Sequence, residues 1–173
     1  MKGVIANCLE EFVKNRLGKM VWQKALEDAG LKPMTMFLVF DDIDDALVMR
    51  LVASVMKQAR LSLAQLAEMF GEYWVLEYSQ KMYSRYYAKH ATARSFLLDM
   101  DNLHVSITKS MANARPPRFA FTWKDDHTLI MRYASHRNML DFAIGLIKGV
   151  GKFYHETLEV KQLGGDQIQV IFP

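Results

Sequence analysis

Two adjacent prolines in the segment "RPPRFAFTW" divide the chain into stretches with different hydrophobic periods. Before Pro116, apolar residues recur at three- and four-residue spacing, which is the repeat of an α-helix. After Pro117, the apolar residues Phe119, Phe121 and Trp123 alternate with other residues, which is the repeat of a β-strand. Because helical segments come first and strands follow, the sequence predicts an α+β fold.

Most of the predicted helices precede the prolines. They cover residues 1–17, 19–29, 43–58, Ser62 through Phe70 with a further helical segment around Tyr73 and Trp74, and a stretch from near Asp101 to the prolines. The segment 80–89 is predicted as a helix or a loop, and its pattern does not separate the two.

Two predicted β-hairpins follow the prolines. The first joins "FAFTW" to "TLIMRY" through the turn "KDDH", and the second joins "TLEVKQL" to "QIQVIF" through "GGD". A predicted helix over 138–153 lies between them. We therefore expect one domain, 1–173, with a helical N-terminal subdomain at about 1–60 and, at about 61–173, a subdomain with a small antiparallel sheet and helices.

Composition excludes several classes of protein. The 22 basic and 19 acidic residues are interspersed, so no nucleic-acid-binding face is expected. A single cysteine, Cys8, excludes an intramolecular disulfide and any multi-cysteine metal site. No window approaches the ~20 apolar residues of a transmembrane helix, and the N-terminus lacks the long uncharged stretch of a secretory signal. We expect a soluble, cytoplasmic protein.

The stretch "YASHR" places Tyr133, Ser135 and Arg137 at every second position. In an extended segment these side chains share one face, so two hydroxyls and a guanidinium would line up over roughly 13 Å. Such donors suit carboxylates, because a guanidinium grips one carboxylate bidentately and hydroxyls donate to another. Taken alone, the stretch is more typical of a solvent-facing strand end with ordinary polar residues.

His104 lies on a predicted helix among apolar neighbours. A lone histidine of this kind is more often an ordinary hydrogen-bonded residue than a ligand. None of the histidines has the spacing of a zinc helix, and no Cys/His cluster accompanies them. One imidazole beside an apolar pocket is, however, what haem requires, since iron takes one proximal histidine and the porphyrin faces need hydrophobic walls.

Together, "DNLHVSI", "RPP" and "YASHR" resemble the haem nitric oxide/oxygen binding (H-NOX) family. The start "MKGVIANCLEEFV", "FGEYW" and "LGG…QVIF" fit as well, so the resemblance covers essentially the whole chain. It implies haem b held between the two subdomains, with His104 as the iron ligand. It also implies that Tyr133, Ser135 and Arg137 bind the propionates and that Pro117 presses against the porphyrin. The positions that match the distal pocket are Ile5, Leu9, Trp74, Phe142 and Leu146.

The resemblance also bears on which gas is bound. Family members that bind oxygen stably carry a distal tyrosine on the helix after the Tyr-x-Ser-x-Arg motif, and here that residue is Phe142. We therefore expect a sensor of nitric oxide and carbon monoxide that excludes oxygen, unless Tyr73 or Trp74 supplies a donor. Nitric oxide bound opposite His104 is expected to weaken the iron–histidine bond and to move the helix that carries this residue.

The chain ends after "QVIFP", so we expect it to signal to a separate protein. The family's stand-alone bacterial members suggest a sensor histidine kinase or a cyclic-di-GMP enzyme. Relatives with a zinc site use several cysteines, so no zinc is expected here. We expect no enzymatic activity. The alternatives are an oxygen-binding haem sensor, a haem redox protein or a cofactor-free helical interaction protein, which would be colourless.

Overall fold

The computed structural model describes all 173 residues and has the α+β architecture that the hydrophobic periods predict. Eight α-helices are present: α1 Gly3–Phe12, α2 Lys19–Asp28, α3 Asp45–Ala59, α4 Leu63–Tyr73, α5 Gln80–Tyr87, α6 Ala93–Leu98, α7 Met100–Thr108 and α8 Leu140–Phe153. The four strands are β1 Arg118–Trp123, β2 Thr128–Ala134, β3 Glu159–Gly164 and β4 Gln167–Ile171. None of the helices is both long and apolar enough to cross a membrane.

The strands form one antiparallel sheet in the order β1-β2-β4-β3. Both predicted hairpins are present, and β2 and β4 form the centre of the sheet. Leu129, Met131, Ile168 and Val170 are fully buried, while α8 packs its apolar residues into the same core. The apolar residues that alternate along β2 and β4 in the sequence therefore lie on the face of the sheet that packs into this core.

The chain divides into two compact units. The first comprises Met1–Leu66 and Met111–Arg115, and the second comprises Ala67–Ser110 and Pro116–Pro173. The core of the first unit is built around Trp22, whose indole ring meets the ring of Phe37 edge-on at a centroid distance of 6.2 Å. The sheet and α5 to α8 belong to the second unit.

Three helical predictions differ from the structure in detail. The segment 1–17 is helical throughout, but its last turn, Val13–Leu17, is a wide π-turn closed by the amide of Gly18 on the carbonyl of Val13. The undecided segment 80–89 contains the helix α5. The helix expected to run to the prolines instead ends at Thr108, and the chain turns through Asn113, which has a left-handed φ of 60°.

Candidate haem site

His104 lies on α7, and its ring is fixed by a backbone partner. The Nδ1 atom is 3.2 Å from the carbonyl oxygen of Pro117. Because a carbonyl only accepts, Nδ1 carries the proton and donates it, which leaves the lone pair on Nε2. This is the arrangement in which metal-binding histidines are usually held, with the second ring nitrogen donating to a backbone or carboxylate oxygen.

Burial lowers the pKa of the His104 imidazole, although the bond to Pro117 and the nearby Asp101 carboxylate act in the opposite direction. The ring is therefore neutral at neutral pH. Neutral imidazole is the form that binds a metal, since a protonated ring has no free lone pair. Burial keeps the ring neutral and the backbone hydrogen bond keeps the proton on Nδ1, so both leave Nε2 with a lone pair that can bind a metal.

Asp101 joins the helix that carries His104 to the first strand. Its two carboxylate oxygens accept from Nε and Nη2 of Arg118 at 2.7 and 2.6 Å, and one of them also accepts from the backbone amide of Phe119 at 2.9 Å. These bonds hold the pKa of Asp101 at about 2. Neither Asp101 nor Arg118 is among the site residues predicted from the sequence, although Asp101 lies one turn before His104 and Arg118 directly follows Pro117.

Phe119 connects His104 to the first member of the "YASHR" stretch. Its ring centroid is 5.8 Å from that of His104 and 5.7 Å from that of Tyr133. Phe119 and Tyr133 are direct cross-strand partners in β1 and β2, which explains why their rings meet. Tyr133 is buried.

The prediction that Tyr133, Ser135 and Arg137 continue one extended strand is wrong. Strand β2 ends at Ala134, and the next residues form a turn in which the hydroxyl oxygen of Ser135 accepts from the amide of Arg137 at 3.2 Å. Such a hydroxyl-to-backbone bond favours a turn over a strand. The alternation of exposure nevertheless persists, because Ser135 and Arg137 are half-buried while Ala134 and His136 are exposed.

The predicted distal residues of the second unit lie where α4 and α8 cross. Phe142 is buried, and its ring meets the ring of Phe70 edge-on at a centroid distance of 5.5 Å. Phe70 in turn lies 6.2 Å from Trp74. Leu146, one turn after Phe142, is half-buried. Phe70 is not among the pocket residues predicted from the sequence, although its spacing of four residues from Trp74 is that of neighbours on one helix face.

Glycines bring these two helices together. A Cβ atom added to Gly145 would collide with the carbonyl of Ala67, and one added to Gly71 would collide with the backbone of Gly145. A Cβ at Gly149 would lie 2.7 Å from the carbonyl oxygen of Gly71. The backbones therefore touch directly. Ion pairs of Lys148 with Glu68, at 2.6 Å, and of Lys152 with Glu72 flank the crossing.

A second π-turn, Trp74–Tyr78, continues α4 and is closed by the amide of Ser79 on the carbonyl of Trp74. It turns the helix so that Tyr73 and Tyr78 are buried while Trp74 stays half-buried. Turns of this kind occur frequently at functional sites. The rings of Trp74 and Tyr78 lie 5.5 Å apart.

The two remaining predicted pocket residues, Ile5 and Leu9, belong to the first unit. Both lie on α1, one turn apart, where Leu9 is buried and Ile5 is half-buried. A side chain at i and another at i+4 share one face of a helix. The structure thus places both on one face of α1 within that unit, and their role in a distal pocket stays a prediction.

The residues of the second unit fit haem chemically. An iron porphyrin with two propionates requires an imidazole with an unprotonated nitrogen, apolar walls, and donors for two carboxylates. The half-buried imidazole of His104, the aromatic side chains, and the two hydroxyls and one guanidinium of Tyr133, Ser135 and Arg137 are groups of these kinds. No group of three or more His, Cys, Asp or Glu side chains converges in the structure.

A family model described as "Haem-NO-binding" matches residues 2–162. The chain belongs to this family. H-NOX domains bind haem and act as gas sensors, and as sensor domains they are generally not catalytic. No curated protein matches the chain by sequence at a significant level.

Solved H-NOX structures share the fold. A Cs H-NOX mutant carrying 4-cyano-L-phenylalanine aligns with a TM-score of 0.89 and 26% identity, over 99% of this chain and 96% of that one. An oxygen-binding H-NOX domain related to soluble guanylate cyclases, in its oxygen complex, aligns with a TM-score of 0.84 and 26% identity, over 99% and 95%. A structure solved to study haem distortion in the H-NOX family gives 0.87 and 26%, over 99% and 95%.

Proposed function

We propose that this H-NOX domain binds one haem b through Nε2 of His104 and senses nitric oxide and carbon monoxide without forming a stable oxygen complex. The observation that carries the proposal is the pairing of two features. A half-buried neutral imidazole, His104, leaves Nε2 unprotonated. A buried phenylalanine, Phe142, stands at the position that matches the distal tyrosine of oxygen-binding relatives.

Tyr133, Ser135 and Arg137 are the proposed propionate ligands. The hydroxyl of Ser135 accepts from the amide of Arg137, so its own proton is free to be donated. Ser135 and Arg137 are half-buried, which strengthens a charge-assisted hydrogen bond relative to one in open water. Pro117, whose carbonyl fixes His104, is the residue proposed to touch the porphyrin.

Ferrous haem supplies the open coordination position at which a diatomic gas binds. Oxygen held at that position would carry partial negative charge, which a nearby donor would stabilise by about 1 kcal/mol or more. Phe142 has no donor, and its contact with the edge of Phe70 places a second apolar ring beside it. Nitric oxide depends much less on such a donor, so this pair of rings favours nitric oxide over oxygen.

An oxygen-binding sensor is the second candidate, because Tyr73, Trp74 and Tyr78 carry O–H or N–H groups near the same crossing. Tyr73 and Tyr78 are buried, and Trp74 is half-buried. One of the similar structures is an oxygen complex. A donor from this helix would stabilise oxygen in place of the missing distal tyrosine.

The signal is proposed to leave the site through α7. Asp101 ties this helix to β1 by its bonds to Arg118 and to the amide of Phe119. A displacement of His104 would therefore strain a defined set of hydrogen bonds. Such a switch requires that the gas has different affinities for the two positions of the helix.

Absorption spectra of the reduced protein in argon, in air, with carbon monoxide and with nitric oxide test the proposal. We expect spectral shifts with nitric oxide and carbon monoxide, and slow oxidation without a stable new species in air. The Phe142→Tyr variant should gain a longer-lived oxygen complex, while Phe153→Tyr on the same helix serves as the control. A stable oxygen spectrum in the parent protein would favour the second candidate, and a protein without haem bands would contradict both.

The proposed partner is a separate signalling protein, either a histidine kinase or a cyclic-di-GMP enzyme, and the proposed location is the cytoplasm. Pulse labelling of phosphate on candidate kinases, with and without the nitric oxide complex, is the direct measurement. A kinase whose rate is identical in both states is not the partner.

A further inference from the structure

Four apolar side chains in the first unit point into solvent at alternate positions of one segment. Met34 is 90% exposed, Met36 76%, Leu38 60% and Phe40 78%. We call these four residues the apolar stripe. Single exposed apolar residues are normal on protein surfaces, but a contiguous apolar patch is often an interaction site.

The residues between the members of the stripe anchor the segment and hold it in this orientation. Phe37 is buried against Trp22, and its carbonyl oxygen accepts from Nδ2 of Asn7 at 3.0 Å. The carbonyl oxygen of Val39 accepts from the amide of Val4 at 2.9 Å. Turning the stripe inward would break these contacts, so its exposure is built into the packing of the unit.

Opposite charges flank the stripe. Lys32 precedes it and is exposed, and Asp41 follows it and is also exposed. The carboxylate of Asp41 accepts from the amide of Leu38 at 3.3 Å, which keeps the charge close to the end of the stripe. Along the chain, this surface therefore presents a cation, then four apolar side chains, then an anion.

A second copy of this segment that runs in the opposite direction would place apolar side chains against apolar side chains and a cation against an anion. A two-fold axis through the segment near Phe37 would place Met34 opposite Phe40 and Met36 opposite Leu38 of a second molecule. The same operation brings Lys32 of each molecule to Asp42 of the other, with Asp41 next to it, and all three side chains are exposed. Two-fold contacts of this kind are the commonest in homo-oligomers.

We propose that the apolar stripe is the interface of a weak homodimer of this chain. A second copy is the occupant that supplies both the apolar face and the matching charges. Four side chains per molecule lie at the small end of specific interfaces, so the dimer should form only at high protein concentration. The proposal does not depend on which gas the domain binds.

Sedimentation velocity of the full chain over a range of concentrations tests the idea. We expect the average mass to rise from monomer towards dimer. The double variant Met36→Ser/Phe40→Ser should weaken association at least about tenfold, because it removes the centre of the contact. Met20→Ser is the matched control, since Met20 is 66% exposed but lies on α2 outside the stripe.

Charge reversal tests the two-fold arrangement. Lys32→Glu alone and Asp41→Lys alone should each weaken the dimer, and the combination of both should restore it. A parent protein that stays monomeric, or a dimer that survives Met36→Ser/Phe40→Ser, would overturn the proposal. A combined variant as weak as the single variants would also do so. Binding of the parent monomer to phosphatidylcholine vesicles would assign the stripe to a membrane surface instead.

Each variant's unfolding midpoint and haem absorption spectrum are recorded alongside. An unchanged midpoint shows that Asp41→Lys has not disturbed the loop that Asp41 braces. Haem bands report on the proposed function separately, so a colourless protein that dimerises would contradict the haem proposal and support this one.

Discussion

The surroundings of His104 and the crossing of α4 with α8 are held in different ways. Directional bonds of Asp101 and Pro117 hold the first region. Direct backbone contact at Gly71 and Gly145 holds the second, and aromatic rings pack beside it. The first region fixes the direction of one nitrogen lone pair, and the second excludes polar groups from a position. A ligand atom needs directional partners, whereas an apolar wall needs only close packing.

The largest expected effect is a loss of haem binding when the proposed iron ligand in the first region is removed. His104→Gly should abolish stable haem uptake, a loss far beyond the roughly 10–100-fold that changes to a ligand's supporting residues cost. Added imidazole should restore uptake, because the cavity left by the side chain accepts a free ring. The measurement is haem absorbance per mole of purified protein, and His127→Gly, at an exposed histidine, is the control. Full haem content in His104→Gly without imidazole would refute the assignment of the ligand.

The next effect should fall on stability, in the second region. In Gly145→Ala the new Cβ collides with the carbonyl of Ala67, and overpacking of this kind costs up to about 3 kcal/mol. Urea unfolding monitored by circular dichroism gives the free energy. Gly165→Asn is the comparison, because Gly165 has a φ of 54° with open space around it and asparagine tolerates this conformation. Equal stability of both variants would mean that the helices separate easily.

The hydrophobic period was enough to predict the α+β class and both hairpins, because each strand's alternation is a local property. The exact end of α7 was not predictable in this way. The prolines set only the latest position at which a helix must stop, and the chain leaves the helix earlier, at Thr108. The wide turns at Val13–Leu17 and Trp74–Tyr78 also leave no mark in a three- or four-residue repeat.

Within the candidate site, too, some residues could be predicted from the sequence and others could not. His104, Pro117 and Tyr133 stand out because motifs of a known family surround them. Asp101 and Arg118 are polar residues on either side of those motifs, and only the folded chain shows that they pair. The contact of Phe70 with Phe142 joins helices far apart in sequence, so spacing gave no indication of it.

A smaller effect would sharpen the role of the turn after β2. Arg137→Ala should weaken haem binding by roughly tenfold or more, since a hydrogen bond to a charged group contributes about 1.5–3 kcal/mol. His136→Ala should bind haem nearly as well as the parent, because His136 is exposed while its neighbours are half-buried. The rate of haem transfer to an excess of an apo-globin measures the difference. Identical rates for the two variants would remove Arg137 from the proposed propionate site.

The smallest effect concerns the bond network that holds α7, and it depends on pH. The pKa of Asp101 is lowered from 3.8 to about 2, so the carboxylate stabilises the folded state above about pH 4 and loses this contribution as the pH falls towards 2. Arg118 is largely exposed, so solvent screening reduces the contribution to about 1 kcal/mol. Asp101→Asn should therefore lower the free energy of unfolding by about that amount at pH 7 and by much less near pH 2. Asp126→Asn, in the exposed β1–β2 turn, is the control. The test is urea unfolding of both variants at the two pH values. If Asp101→Asn lowers the free energy of unfolding equally at both, the loss comes from the geometry of the amide and not from the missing charge. If Asp101→Asn does not lower it at pH 7, α7 is held without the Asp101–Arg118 pair.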